Sequence, residues 1–242
     1  MEPRPISDYP RPEPQAPAQK KLHLGWLAGI TVFSFVAGLF LKFEFDGTWW
    51  EFAGFVTGFV NVYLVAVEHI INWPIGIVNL LLYGWVFFTS RLYADMTLQF
   101  FFLALGIQGW INWAKGGTGK TALFITKIKP ISWGLIVLLQ VAGTAVYVPI
   151  VTYYKGASPF IDSALTVASI IAQFLLNWKK IENWVLWIIV DAIYVPLYIS
   201  RHLISTAILY GLFFCLAVSG LVSWIRIYRR EREPLLFSAQ PQ

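Results

Sequence analysis

NWVLWIIVDAIYVPLYI, residues 183–199, is the stretch that decides the fold. It is an apolar run broken by Trp184, Trp187, Asp191, Tyr194 and Tyr198, whose spacings of 3, 4, 3 and 4 put all five on one face of an α-helix. Asp191 lies seven residues past Trp184, about 10 Å into the segment at about 1.5 Å per residue. An ionisable group at such a depth is costly, so it marks either a functional site or a structural hydrogen bond to a neighbouring helix. Moving 111 residues towards the N-terminus meets NWPIGIVNLLLYGWVFF, residues 72–88. Extended at that offset, 51–113 aligns onto 162–224 without a gap and with 14 identities in 63 positions. Asn72/Asn183, Trp73/Trp184, Ile77/Ile188, Tyr83/Tyr194, Leu105/Leu216, Gly109/Gly220 and Trp113/Trp224 carry the match. The chain is internally duplicated.

The rest of the chain reads in the same way. It has 242 residues, 57% hydrophobic and 13% charged, against about 25% charged in average soluble domains. That composition excludes a soluble enzyme, a nucleic-acid-binding domain and a disordered chain. Apolar stretches at about 22–41, 50–67, 73–90, 94–113, 131–153, 160–177, 184–199 and 203–225 predict eight transmembrane helices. They are apolar on nearly every residue, unlike the alternating strands of a membrane barrel. Each repeat holds three of them, and one span stands alone between the repeats. Equivalent spans are therefore four apart and point the same way, giving an all-α polytopic membrane protein with an N-terminal helix plus a 3+1+3 arrangement of two parallel repeats.

The corresponding division is a Pro-rich disordered tail (1–21), an extra helix (22–45), the first repeat (50–114), a loop and linker helix (115–156), the second repeat (160–226) and a basic tail (227–242). With a cytoplasmic N-terminus, the inside collects Arg4, Arg11, Lys20, Lys21, Lys115, Lys120, Lys127, Lys129, Lys179, Lys180, Arg226, Arg229, Arg230 and Arg232. The outside receives only Lys42, Arg91, Lys155 and Arg201. This asymmetry predicts both termini inside.

Within the spans the halves differ chemically. Where the second repeat offers Trp187 and Asp191, the first offers Gly76 and Leu80, together with Asn79 and Tyr83 on the same face as Trp73. An asymmetric ligand is expected. Asn61, Gln99, Gln108, Asn112, Gln140, Gln173 and Asn177 add carboxamides, each as consistent with helix-to-helix bonding as with ligand contact. Trp110 is balanced between the ligand and the interfacial belt, and Trp113 fits the belt better. No Lys or Arg lies in a span core, which disfavours a phosphorylated ligand and a retinal Schiff base. The run Gly116-Gly117-Thr118-Gly119-Lys120-Thr121 is not a phosphate loop, because the earlier glycine is Ala114 and no strand precedes it. His23, His69 and His202 have no metal-ligand spacing, and no nucleophilic set is present, so neither a metal, a cofactor nor an enzyme is expected.

The Asn72-Trp73 and Asn183-Trp184 starts, Trp184 and Trp187 with Asp191, and the Gln108-Gly109-Trp110 to Trp113 end resemble the PnuC family of bacterial nicotinamide riboside transporters over residues 50–226. The resemblance implies a SWEET-like fold in the bacterial inner membrane and a homotrimer. It also implies facilitated diffusion of the unphosphorylated nucleoside, which a cytosolic kinase then traps. On this reading the substrate site draws on Asn79, Tyr83, Gln108, Trp110, Gln173, Asn177, Asn183, Trp184, Trp187, Asp191, Tyr194 and Tyr198. The tryptophans would stack on a cationic ring and the amides would read its carboxamide. A SWEET-like sugar or other vitamin facilitator stays open as an alternative, with a receptor or lipid-modifying enzyme behind it.

Overall fold

The computed structural model describes residues 24–89, 93–116, 123–154, 158–200 and 204–237. The expected tail at 1–21, the loop residues Arg91, Lys120, Lys155 and Arg201, and residues 238–242 lie outside them. Eight helices follow in order: α1 Leu24–Glu44, α2 Trp49–Ala66, α3 Asn72–Thr89, α4 Tyr93–Lys115, α5 Pro130–Tyr153, α6 Pro159–Asn177, α7 Glu182–Ser200 and α8 Ile204–Phe237. Their starts have local causes. Thr48 and Glu51 form a reciprocal capping box at α2, and Pro130 and Pro159 occupy first-turn positions that need no amide donor. Helix α8 runs past the expected boundary at 226, because the Arg-rich stretch that follows has good helix formers and continues the helix beyond its apolar part.

Six helices close a ring. α2 packs on α3, α3 on α4, α4 on α6, α6 on α7, α7 on α8, and α8 back on α2. Exchanging α2, α3 and α4 for α6, α7 and α8 maps this contact set onto itself, as two parallel repeats around one axis require. Outside the ring, α1 packs on α2 as α5 packs on α6. The two helices that the sequence left over thus hold corresponding places, and the plan sharpens to two units of four helices.

The duplication holds bond for bond at the α2–α3 and α6–α7 turns. The amides of Glu68 and His69 donate to the carbonyls of Val65 and Leu64, and those of Lys179 and Lys180 to Leu176 and Leu175. Glu68 and Lys179 both take positive φ, 59° and 49°, which reverses the chain tightly between helices. The Asn72 and Asn183 side chains donate back to the carbonyls of His69 and Lys180, at 2.8 and 2.6 Å.

Tryptophans join the halves across the axis. The Trp113 indole donates to the Leu176 carbonyl at 3.3 Å, and Trp224 to Val65 at 3.1 Å, a pair of bonds that the offset of 111 interconverts. Trp73 meets Trp113 edge-on at 5.3 Å, Trp184 meets Trp224 edge-on at 5.6 Å, and Trp113 and Trp224 are 6.3 Å apart. The result is a continuous four-ring ladder. Trp113 is therefore a buried core residue rather than the belt residue its place near a helix end suggested. Glycine makes the ladder possible: a Cβ at Gly109 would overlap the Trp73 ring, and one at Gly220 would lie 2.6 Å from Trp184.

Among the described residues, α1, α5, α6, α7 and the Ala207–Arg230 part of α8 are long and apolar enough to cross a membrane by length and composition. Helices α2, α3 and α4 complete the ring but carry more Gly, Asn, Gln, Trp and Tyr, which lowers their hydropathy. Residues 123–129 of the connection between α4 and α5 pack at one end of the ring. Ile125 is buried in the same cluster as Trp113, Trp184 and Trp224, and Thr126 pairs with Lys180 of the α6–α7 turn. Lys127 sits over the Tyr228 ring at this end and Lys179 over Trp113, while Lys42 packs on Phe43 and Trp49 at the end of α1.

Candidate substrate-binding site

Inside the ring, directly against the tryptophan ladder, lies a cavity of about 260 Å³. Small-molecule pockets run from about 300 Å³ upward, so it suits a ligand of one or two rings. Its wall draws on both halves. Gly58 and Asn61 come from α2, Trp73, Gly76, Asn79 and Leu80 from α3, and Phe102 and Gly106 from α4. Opposite them stand Gln173 of α6, Asn183, Trp184, Trp187 and Asp191 of α7, and Tyr210, Phe213 and Ala217 of α8.

The polar groups are fixed before any ligand arrives. Asn79 donates to the Gly54 carbonyl at 2.6 Å and to the Thr57 hydroxyl at 3.0 Å, which ties α3 to α2. Gln173 donates to Asn177, and Asn177 donates in turn to the Leu105 carbonyl and to Gln108, tying α6 to α4. Four buried atoms of lining residues have no hydrogen-bond partner among the described residues: the indole nitrogens of Trp73 and Trp184, and the carbonyl oxygens of Asn61 and Asn183. A buried polar group without a partner costs about 1–3 kcal/mol. Each of the four atoms has less than 1 Å² of accessible surface, so it meets a ligand only where the wall shifts. Asp191, 4% exposed, adds one carboxylate, and no Lys, Arg or His is among the lining residues.

Of the twelve residues expected from the sequence, Asn79, Gln173, Asn183, Trp184, Trp187 and Asp191 line this cavity. The other six do not. Tyr83 packs over Gly54, where a Cβ would lie 3.0 Å from its ring. Gln108 and Asn177 serve the α4–α6 contact, and Trp110 points outward, 38% exposed. Tyr194 and Tyr198 share the helical face of Asp191 but stack on each other and on Tyr210, at 5.3, 4.7 and 5.1 Å. Helical spacing gives the face, and depth along the axis then decides what that face meets. Phe102, Tyr210 and Phe213 were missed: Phe102 and Phe213 carry no polar signal in an apolar span, and Tyr210, whose repeat counterpart is Gln99, stands outside the identities. The offset that pairs Phe102 with Phe213 was the available clue.

The family and the fold are shared with known proteins. A profile described as the nicotinamide mononucleotide transporter family matches residues 48–226, which span all six ring helices. The chain is 29% identical over 215 residues to the nicotinamide riboside transporter PnuC of Escherichia coli strain K12, covering 77% of this chain and 89% of that protein. It is 24% identical over 206 residues to the riboflavin/roseoflavin transporter RibM of Streptomyces davaonensis, covering 83% and 95%. The crystal structure of the vitamin B3 transporter PnuC superimposes with a TM-score of 0.69 at 24% identity, over 85% of this chain and 92% of that one, and shares the fold. With the family profile matching well over half its length, the chain belongs to the nicotinamide mononucleotide transporter family and is a membrane transporter, not an enzyme.

Proposed function

We propose that the chain carries nicotinamide riboside, unphosphorylated, through the central cavity by facilitated diffusion. The observation that carries this reading is the wall itself: Trp184 and Trp187 beside the Asp191 carboxylate, with no Lys, Arg or His among the lining residues. The nucleoside is a pyridinium cation bearing a carboxamide and a ribose. A cation over a tryptophan face gains about 0.5–2 kcal/mol, and Asp191 offsets the same charge. The lining carboxamides of Asn61, Asn79 and Gln173 suit the carboxamide and the hydroxyls. A phosphate would enter a site with a carboxylate and no cation, so the mononucleotide in the family's name fits this wall poorly. The three-ring flavin carried by RibM is large for about 260 Å³.

The setting follows from the charge distribution. The basic end of the ring, with Lys127, Lys179 and Lys180, faces the cytoplasm, and both termini lie on that side of a bacterial inner membrane. The assembled form is a homotrimer, and phosphorylation after release traps the substrate. Uptake by purified protein in liposomes tests the substrate directly. Labelled nicotinamide riboside enters and equilibrates without an ion gradient, while nicotinamide mononucleotide, riboflavin and glucose compete at least about tenfold more weakly. Uptake of the mononucleotide or riboflavin in preference to the riboside overturns the reading, and concentrative uptake driven by an imposed proton gradient overturns the uniport.

A further inference from the structure

The basic end of the ring holds a feature that substrate binding does not use. Lys179 Nζ lies 2.6 Å from Glu68 Oε1, and their side chains are only 11% and 10% exposed. The two residues are 111 apart, so they are the same position of the two repeats. Each stands at the positive-φ residue of its turn, with matching backbone hydrogen bonds on both sides. In each half the turn is flanked by cavity residues: Val65, Asn72 and Trp73 around Glu68, and Leu176, Asn183 and Trp184 around Lys179. A residue and its own repeat counterpart can touch only where the axis between the halves passes. The pair therefore sits on that axis, beyond the Trp73 and Trp184 end of the cavity.

We propose that Glu68 and Lys179 form a charged latch that closes the basic end of the transport path by joining the two halves where they must separate. This rests on the transport reading above. Rocking of one repeat against the other opens one end at a time, and residues on the axis at one end must move apart for that end to open. A buried ion pair suits the task, because desolvation offsets much of its attraction and its charges regain water when parted, so it can both close and release. The Trp113 ring beneath Lys179, 4.4 Å from Nζ, supports the cation in the closed form. The site is symmetric enough to be inverted: Trp224 is the repeat counterpart of Trp113 and waits beside the first turn in the same relation.

That symmetry supplies the test. Glu68→Lys and Lys179→Glu each place like charges on the axis, so uptake in liposomes falls by about tenfold or more, while calorimetric affinity for nicotinamide riboside stays within about threefold of the parent. The double variant Glu68→Lys/Lys179→Glu restores the pair in reverse and returns uptake to within about threefold of the parent. Single variants that transport at the parental rate, or a double variant no faster than the singles, overturn the latch. Should the reversals fail to fold, Glu68→Gln in a Cys215→Ala background with Ile77→Cys in the cavity wall gives a second reading. A membrane-impermeant maleimide applied from the basic end then labels about fivefold faster than with Glu68 intact, and unchanged labelling overturns the proposal. A parent protein that neither binds nor moves the riboside contradicts the substrate reading instead, and the labelling experiment still decides the latch.

Discussion

Trp73 of the first repeat and Trp184 of the second rest on Gly109 and Gly220, while three residues further along the first repeat has Gly76 where the second has Trp187. One turn deeper, Leu80 of the first repeat corresponds to Asp191 of the second. Identity is concentrated in the turn residues Asn72 and Asn183 and in the ladder, where one half packs on the other and a change in either disturbs both. Within the cavity wall the halves differ at Gly76/Trp187 and Leu80/Asp191, beside the shared Asn72/Asn183, Trp73/Trp184 and Phe102/Phe213. Two like halves give a frame that can rock about an axis, and two unlike walls give a pocket with one aromatic, acidic side and one open, amide-bearing side. A ligand with a cationic ring at one end and hydroxyls at the other fits that difference.

The largest effects are expected in the frame. Gly109→Leu and Gly220→Leu each drive a side chain into a tryptophan ring, and each should lower stability by about 3 kcal/mol or more, with equal losses of folded protein by thermal unfolding in detergent. A large loss at one site and none at the other would show that the halves are not mechanically equivalent. Next in size is erasing the chemical difference. Asp191→Leu copies the first repeat into the second, removes the carboxylate and should weaken nicotinamide riboside binding by about tenfold to a hundredfold. Trp187→Gly should do so by about tenfold, through lost ring contact and cation–π attraction. Melting temperatures should move less in these two than in the glycine variants. Smallest are Trp113→Phe and Trp224→Phe, each losing one indole bond across the axis worth about 1 kcal/mol, and the two losses should match.

Much of this frame was legible in the sequence. Asn, Trp and Gly are rare or conformationally special, so their repetition at one offset was informative, and the parallel relation followed from counting spans. The cross-axis contacts were not legible. Trp113 near the end of its helix reads as an interfacial residue, and only the packing of α8 against α2 shows that it meets Trp224 at the centre. Glu68 and Lys179 were invisible as a pair because a duplication search rewards identity, and an ion pair between equivalent positions demands that they differ. At the site, helical spacing correctly grouped Trp184, Trp187 and Asp191. It could not tell that Tyr194 and Tyr198, on the same face, would be covered by Tyr210 of α8. Six of the twelve expected residues reach the cavity for this reason: periodicity fixes direction, and neighbouring helices fix depth.

The proposed recognition of a cationic nucleoside by the second repeat's wall turns on Asp191. Calorimetric titration of nicotinamide riboside into the parent protein and into Asp191→Leu, with nicotinamide mononucleotide titrated alongside, tests it most directly. Saturable binding of the riboside is expected, with at least about tenfold weaker binding to the variant and weaker binding of the mononucleotide to the parent. Equal riboside affinity in parent and variant, or tighter binding of the mononucleotide, would contradict it.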